Sequence, residues 1–332
     1  MELVRPSSDR RKERPCAFQG HEPGKCGGCP WMIGTYESQL RVKFERVLFQ
    51  LKKAKLVEEG GEAKVCPIVA SPEELGFRNR AQVKANGIKL GFVGERSHDL
   101  IEISDCKILN EKTAEQLQFL RSKLPNPEWT PVPGKPWVFF DLSDEVDVLK
   151  LQPNRRLPFR QGNTSQNLFL KKWLAERFSQ IESSRCVELF CGSGNFTEVI
   201  AHANNKIIAV EVVEEALVSL RSLNLPKVEA WRFDLFQVAE VKKLAARLNR
   251  EFEGGVDCLV LDPPREGFSS LPGFVESLDT IQNILYVSCD LSTFIRDTAP
   301  LMKMGFELLE LCPVDMFPQT PHVEVLGHFQ KG

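Results

Sequence analysis

Residues 285–290 read LYVSCD, an apolar run that ends in a thiol followed by an acid. A cysteine in such a run usually packs as a small hydrophobe. At the carboxyl end of a strand in a parallel sheet it instead stands where α/β folds place their ligands. The segment PVDMFPQTPHVEVLGHF (313–329) reads as a hairpin that returns His322 and Glu324 to the same edge. Cys289 as nucleophile and Glu324 as general base suit carbon methylation of a pyrimidine. Addition of a thiolate to C6 makes C5 able to attack a sulfonium methyl group, and a base then removes the C5 proton so that elimination frees the sulfur. His322 is a neighbour of this site without an assigned role.

A methyl donor needs its own seat. VELFCGSGNF (187–196) is an apolar strand running into Gly192-Ser193-Gly194 and then a helix, and the following strand ends in Glu211, placed to accept hydrogen bonds from ribose hydroxyls. Where a dinucleotide fingerprint has its third glycine stands Thr197, so S-adenosylmethionine fits better than NAD. LDPPREGF (261–268) puts Asp262 beyond the end of another strand, in a loop that would equally suit an amino-group methyltransferase.

Ten cysteines without a secretory leader argue against a disulfide framework. CAFQGHEPGKCGGC contains Cys16, Cys26 and Cys29, and Cys106 follows a polar loop in ISDCKIL. Four thiolates suit tetrahedral zinc or a [4Fe-4S] cluster, and three local ligands with one remote lean towards iron and sulfur. Cys66, Cys186, Cys191, Cys258 and Cys312 read as packing residues.

The elements that must position these groups fall into two styles. YESQLRVKFERVLFQLKKA (36–54) spaces Leu40, Phe44, Leu48 and Leu51 as an amphipathic helix with a solvated charged face. From about 64 to 152 the signals are those of short strands, including an Asn-Gly hairpin in AQVKANGIKLGFVGE and further strands in WVFFDLSDEVDVLKLQ. After a helix over 164–180, the strands CVELF, IIAVEV, CLVLD and ILYVS alternate with helical stretches, which predicts a doubly wound parallel sheet. Three regions follow: a mobile stretch 1–15, a cysteine-cluster and β-rich RNA-binding domain 16–155, and a methyltransferase domain 156–332. With 332 residues, 42% of them hydrophobic, the chain can bury two cores. No apolar run approaches the roughly 20 residues that span a bilayer, and the polar start is no secretory signal, so the cytoplasm is expected. A net charge of −2 means that a polyanion must be held by local basic surface. Arg78, Arg80, Lys84, Arg155, Arg156 and Arg160 are the candidates.

Taken in order over residues 16–329, CGGC, YESQLRVK, FRQGN, LFCGSGNF, DPPREGF, YVSCD and HVE resemble the RNA 5-methyluridine methyltransferases, in particular their iron-sulfur branch. The resemblance implies an α/β, Rossmann-like domain that uses S-adenosylmethionine, preceded by a β-rich domain carrying a [4Fe-4S] cluster. It implies RNA as the partner, 23S rRNA in preference to tRNA; the hydropathy gives no membrane association, and no obligate protein partner is inferred. It also implies Gln161, Phe190, Asn195, Glu211, Asp234 and Asp262 as cofactor-binding residues and Cys289 and Glu324 as nucleophile and base. Cys16, Cys26, Cys29 and Cys106 fall on the cluster ligands. The chain departs from the family pattern at Asp290-Leu291, where Asn-Pro is usual, and at Met32-Ile33, where glutamine-histidine is usual. An RNA 5-methylcytosine methyltransferase and a non-catalytic iron-sulfur RNA-binding protein are the alternative readings.

Overall fold

The computed structural model describes residues 7–20, 22–58, 64–94, 97, 99–181, 185–201 and 206–332, so the first six residues of the expected mobile stretch lie outside it. The chain divides into two compact units, one of Met1–Val42, Ser71–Ser165 and Met316–Pro321, the other of Lys43–Ala70, Gln166–Asp315 and His322–Gly332. The boundary expected at 155/156 follows a change in sequence pattern, whereas these units follow packing. No described helix is long and apolar enough to cross a membrane.

The second unit is built on a seven-stranded sheet. Its central strands β5 (Arg185–Leu189), β8 (Cys258–Leu261) and β9 (Asn283–Ser288) are buried almost throughout, as strands covered on both faces must be. With β6 (Lys206–Glu211), β7 (Val228–Arg232), β10 (Phe306–Val314) and β11 (Glu324–Lys331), the order is β10-β11-β9-β8-β5-β6-β7. Strands β5 to β9 are parallel. The sheet as a whole is mixed and not the wholly parallel one expected, because β11 runs antiparallel to both β10 and β9. The reason is local: β10 and β11 form a hairpin, and a hairpin can close only antiparallel. Strand order reverses between β5 and β8, which makes their carboxyl ends the switch point where such sheets bind ligands.

Helices cover this sheet by burying one stripe. In α6 (Val238–Glu251) the stripe is Val241, Leu244, Ala245 and Leu248. Helix α1 (Tyr36–Lys53) buries Val47 and Leu51 and packs Phe44 and Leu48 on the same core. Its charged face is not simply solvated, since Lys43 is fully buried.

The first unit carries an antiparallel sheet in the order β3-β2-β1-β4, formed by β1 (Arg80–Ala85), β2 (Leu90–Val93), β3 (Leu100–Glu102) and β4 (Val138–Ser143). Strand β1 alternates, with Ala81, Val83 and Ala85 inward and Arg80, Gln82 and Lys84 outward. The Asn86-Gly87 turn joins β1 to β2, with Gly87 at φ 86° and the Asn86 side chain accepting from the Lys89 N–H at 2.8 Å. Helix α2 (Glu111–Ser122) is capped by Asn110, whose side chain accepts from the Thr113 N–H at 3.1 Å. Residues 148–150, expected as strand, form a single 3-10 turn, because Asp147 caps it by accepting from the Leu149 N–H at 2.8 Å.

Candidate active site

Cys289 follows directly on β9, and helix α8 (Leu291–Lys303) begins two residues later. Asp290 is the N-cap of that helix: its carboxylate accepts from the Ser292 and Thr293 N–H groups at 2.9 and 3.0 Å. The departure from Asn-Pro therefore preserves a capping role, since asparagine caps equally well and proline merely favours the first helical position. The thiol accordingly stands at the positive end of a helix. Burial nevertheless pushes it up to about 12, and the nearby carboxylates of Glu324 and Asp262 act in the same sense, against Arg265. Burial thus favours the thiol form of Cys289 over the thiolate.

Glu324 opens β11. Val325 is the partner of Ser288, the last residue of β9, and Glu324 itself is the partner of Val314, the last residue of β10. The nucleophile and the carboxylate thus leave neighbouring strands at one edge of the sheet. Glu324 is 2% exposed, and burial raises it to about 8, with Asp262 adding and Arg265 opposing. Arg265, which sequence reading did not single out, is thus the cation common to Cys289 and Glu324, and it also acts on His322. Burial holds His322 below its ordinary value, and Arg265, Lys43 and Arg46 oppose its protonation.

The glycine turn lies one strand over from the Asp262 loop. Gly192, at φ 53°, has nothing within 4 Å of where a Cβ would stand, which leaves an open cradle, while at Gly194 a Cβ would meet Leu220 at 2.7 Å. Phe190 takes the left-handed backbone at φ 60°, a conformation that non-glycine residues rarely hold. Its ring lies 5.7 Å from that of Phe236 and 5.5 Å from that of Phe268. Glu211 accepts from the Gly192 N–H at 3.2 Å and from the Val212 and Val213 N–H groups at 2.8 and 3.0 Å. Asn195 exchanges two hydrogen bonds with Asn167 of α3 (Thr164–Ser179), at 2.9 and 3.0 Å. Asp234 accepts from the Phe236 N–H at 3.0 Å in the loop after β7.

One acid near this turn escaped the sequence reading. Glu188, in β5, is 2% exposed, and burial raises it to about 8, with Thr197 opposing and Asp262 adding. Neither Glu188 Oε2 nor Thr197 Oγ1 has a hydrogen bond of sound geometry among the described residues. A buried acid with an idle oxygen close to an open glycine cradle fits a ligand that carries positive charge, as S-adenosylmethionine does. The signal in the sequence is the single acid within the apolar run CVELF.

The edge that carries Glu324 is held by an ion pair. Lys43 Nζ and Asp315 Oδ1 are 2.5 Å apart, both side chains wholly buried. Asp315 follows the last residue of β10, its N–H donates to the Val69 carbonyl at 2.9 Å, and its own carbonyl accepts from Gln166 Nε2 at 3.0 Å. Breaking such a pair leaves a buried charge without compensation. Lys43→Met is expected to lower unfolding stability by about 3–5 kcal/mol, measured by urea titration. The combined Lys43→Met and Asp315→Leu replacement is expected to recover most of that loss.

The first unit gathers a different set. Cys16, Cys26, Cys29 and Cys106 line one cavity together with Met32 and Ile108. Met32, 1% exposed, forms an apolar floor with Phe77 and Ile108, which accounts for the departure from glutamine at that position. Burial raises Cys29 to about 12, with Cys106, Cys26 and Cys16 adding, and raises Cys106 to about 11. Among the described residues no three His, Cys, Asp or Glu side chains are placed to share a single metal ion. Arg78, expected on phosphate, interacts with Cys29 and Cys106 and donates from Nε to the Arg80 carbonyl at 3.0 Å. Arg160 pairs with Asp144 and Glu145. Gln161 belongs to this unit, where its carbonyl accepts from Asn79 Nδ2 at 3.0 Å.

A glycine turn after β5 and an acid after β8, at the reversal of a sheet closed by an antiparallel hairpin, define the α/β fold of S-adenosylmethionine-dependent methyltransferases. The profile of the tRNA (uracil-5-)-methyltransferase family matches residues 152–331. The chain is 42% identical over 327 residues to an uncharacterised RNA methyltransferase of Nitrosomonas europaea, covering 98% of this chain and 81% of that protein. It belongs to the RNA uracil-C5 methyltransferase family. It is 27% identical over 395 residues to the 23S rRNA (uracil(1939)-C(5))-methyltransferase RlmD of Pseudomonas putida, covering 100% of this chain and 83% of that one. The crystal structure of the Pyrococcus abyssi tRNA (uracil-54, C5)-methyltransferase with S-adenosyl-L-homocysteine shares the fold, with a TM-score of 0.71 at 21% identity over 99% of this chain and 87% of that chain.

Proposed function

We propose that the chain methylates C5 of a uridine in 23S rRNA through a transient bond between Cys289 Sγ and C6 of the base. Membership of the family supplies the uracil-C5 reaction with S-adenosylmethionine as donor and RNA as substrate. The observation that carries the covalent route is the departure of Cys289 and Glu324 from adjacent strands, with Asp262 and Arg265 acting on both.

The steps follow from the ionisation of these groups. The base must leave its stack to reach a thiol at the sheet edge. Cys289 would give its proton to water, a loss that Arg265 and the helix α8 terminus favour against burial and that the sulfonium charge of a bound donor would favour further. Sulfur bonds to C6, and the ring's electron pair moves to C5 with O4 as the enolate oxygen. S-adenosylmethionine, when bound, supplies an electrophilic methyl group and a sulfonium charge. C5 would take that methyl group and become tetrahedral; the ionised form of Glu324, which Arg265 favours against burial, then takes the C5 proton, the C6–S bond breaks, the double bond returns and Cys289 leaves as thiolate. The cradle at Gly192 with Glu211, Asn195, Phe190 and Asp234 would hold the donor.

The four thiols of the first unit would hold a [4Fe-4S] cluster. Tetrahedral zinc needs sulfurs roughly 4 Å apart around one ion. All four thiols line one cavity, three of them local in the chain and one remote, which supports the cluster reading. The 23S rRNA preference rests on relatives such as the Pseudomonas enzymes, which align over almost the whole chain. The test uses anaerobically purified protein with labelled donor and two substrates, unmodified 23S rRNA and unmodified tRNA. The expected product is 5-methyluridine in 23S rRNA, from protein carrying stoichiometric iron and acid-labile sulfide. 5-Methylcytidine, or methylation confined to tRNA, would refute the assignment, and protein that binds zinc alone would refute the cluster.

A further inference from the structure

The outward face of the four-stranded sheet carries an aromatic and cationic array remote in sequence from the reacting groups. Trp137 and Phe139 are half-buried and alternate with the buried Val138 and Phe140, so they share one face of the extended segment. Lys84, the partner of Phe139 across β1 and β4, holds its ammonium 5.2 Å from the Phe139 ring centroid. The Arg156 guanidinium lies 5.6 Å from the same ring. Arg155 is exposed beside it, and Arg80 lies on the same side of β1.

A cleft of about 210 Å³ adjoins this array, walled by Pro131, Trp137 and Pro153 with Glu128, Lys135 and Asn154 as its polar groups. Asn154 links the two features. Its N–H donates to the Phe139 carbonyl at 2.8 Å, and its Oδ1 accepts from the Phe139 N–H at 3.3 Å. Its φ of 62° is a left-handed conformation that asparagine adopts readily. Two acids oppose the cations. Glu128 lines the cleft beside Lys135, and Asp141 pairs with Arg80 at 3.9 Å, which leaves Lys84, Arg155 and Arg156 in excess. The face therefore remains cationic, and an anion carrying flat apolar rings is its complement.

We propose that this face binds unpaired RNA away from the target uridine, with one base in the Trp137 cleft and adjoining phosphates on Lys84, Arg155 and Arg156. The proposal rests on RNA being the substrate. Stacking of a base on an aromatic side chain contributes about 1–3 kcal/mol and tolerates sequence. Selection for unpaired strands follows because bases inside a duplex present no ring face to a cleft.

The experiment is fluorescence anisotropy of a short, end-labelled single-stranded oligoribonucleotide of mixed sequence, titrated with the full-length protein at several salt concentrations. Trp137→Leu is expected to weaken binding by about 5- to 150-fold with the salt slope unchanged, and Trp137→Phe to restore most of the affinity. Arg156→Gln is expected to reduce the salt slope by about 0.7. In methylation assays Trp137→Leu should raise KM for RNA and leave kcat unchanged. Wild-type affinity in Trp137→Leu, or equal competition by a duplex of the same length, would overturn the proposal and leave the methyltransferase assignment standing. Failure of the wild-type protein to methylate any RNA would overturn both.

Discussion

Cys289→Ser is expected to lower methyl transfer by about 10⁴- to 10⁶-fold, the scale on which removal of a nucleophile acts. A serine hydroxyl is far less acidic than a thiol, and even the thiol begins with its ionisation opposed by burial, so an alkoxide at this position is out of reach. The readouts are single-turnover methylation and trapping with RNA that carries 5-fluorouridine at the target. The wild-type protein should form an adduct stable to denaturing electrophoresis, because fluorine at C5 cannot leave as a proton does. The variant should form none, yet bind the donor and RNA with unaltered affinity. Since Asp290, and not Cys289, caps helix α8, the substitution leaves the cap in place and a loss of folding is not expected. A variant that keeps wild-type turnover would rule out the covalent route.

Glu324→Gln stops the cycle at a different point. Addition and methyl transfer do not need the carboxylate, so a methylated adduct should accumulate with ordinary uridine RNA, while turnover falls by about 10²- to 10⁴-fold. Stability separates this from a structural lesion. Glu324 is raised in the folded protein from its ordinary 4.5 to about 8, so the folded state favours the protonated acid. Its stabilising effect is complete below pH 4.5 and is lost as pH rises through 8. Glutamine has no such titration. The variant should therefore gain on the wild type between pH 4.5 and 8, by on the order of a few kcal/mol, and hold that gain above pH 8. Glu188 titrates in both proteins and cancels in the difference. Equal pH dependence of the two unfolding curves, with no adduct in the variant, would remove Glu324 from the role of base.

Local pattern carried much of this chain. Apolar strands alternating with amphipathic helices announce a sheet with helices on both faces, and a glycine turn after β5 or a thiol after β9 is visible because each is a departure from that pattern. The hairpin that brings Glu324 beside the end of β9 is legible for the same reason. Cap chemistry was equally local: Asp290 followed by Ser292 and Thr293 at a strand-to-helix junction is an N-cap signature that explains what otherwise reads as a departure from the family.

Everything that depends on a partner distant in the chain had to wait for the tertiary structure. Lys43 sits on what sequence periodicity makes the wet face of α1, and only Asp315, 272 residues away, makes its burial tolerable. Arg78 looks like one of several basic side chains until the fold sets it beside Cys29 and Cys106. The same holds for the ionisation of Glu188 and Glu324, and for Lys84 and Arg156 meeting on one ring. The order of residues determined which faces were apolar, where strands ended and which ends carried reactive atoms. Three-dimensional packing alone decided which charges lost their water and which found partners, because desolvation and Coulomb energy depend on distance in space, which local periodicity does not encode.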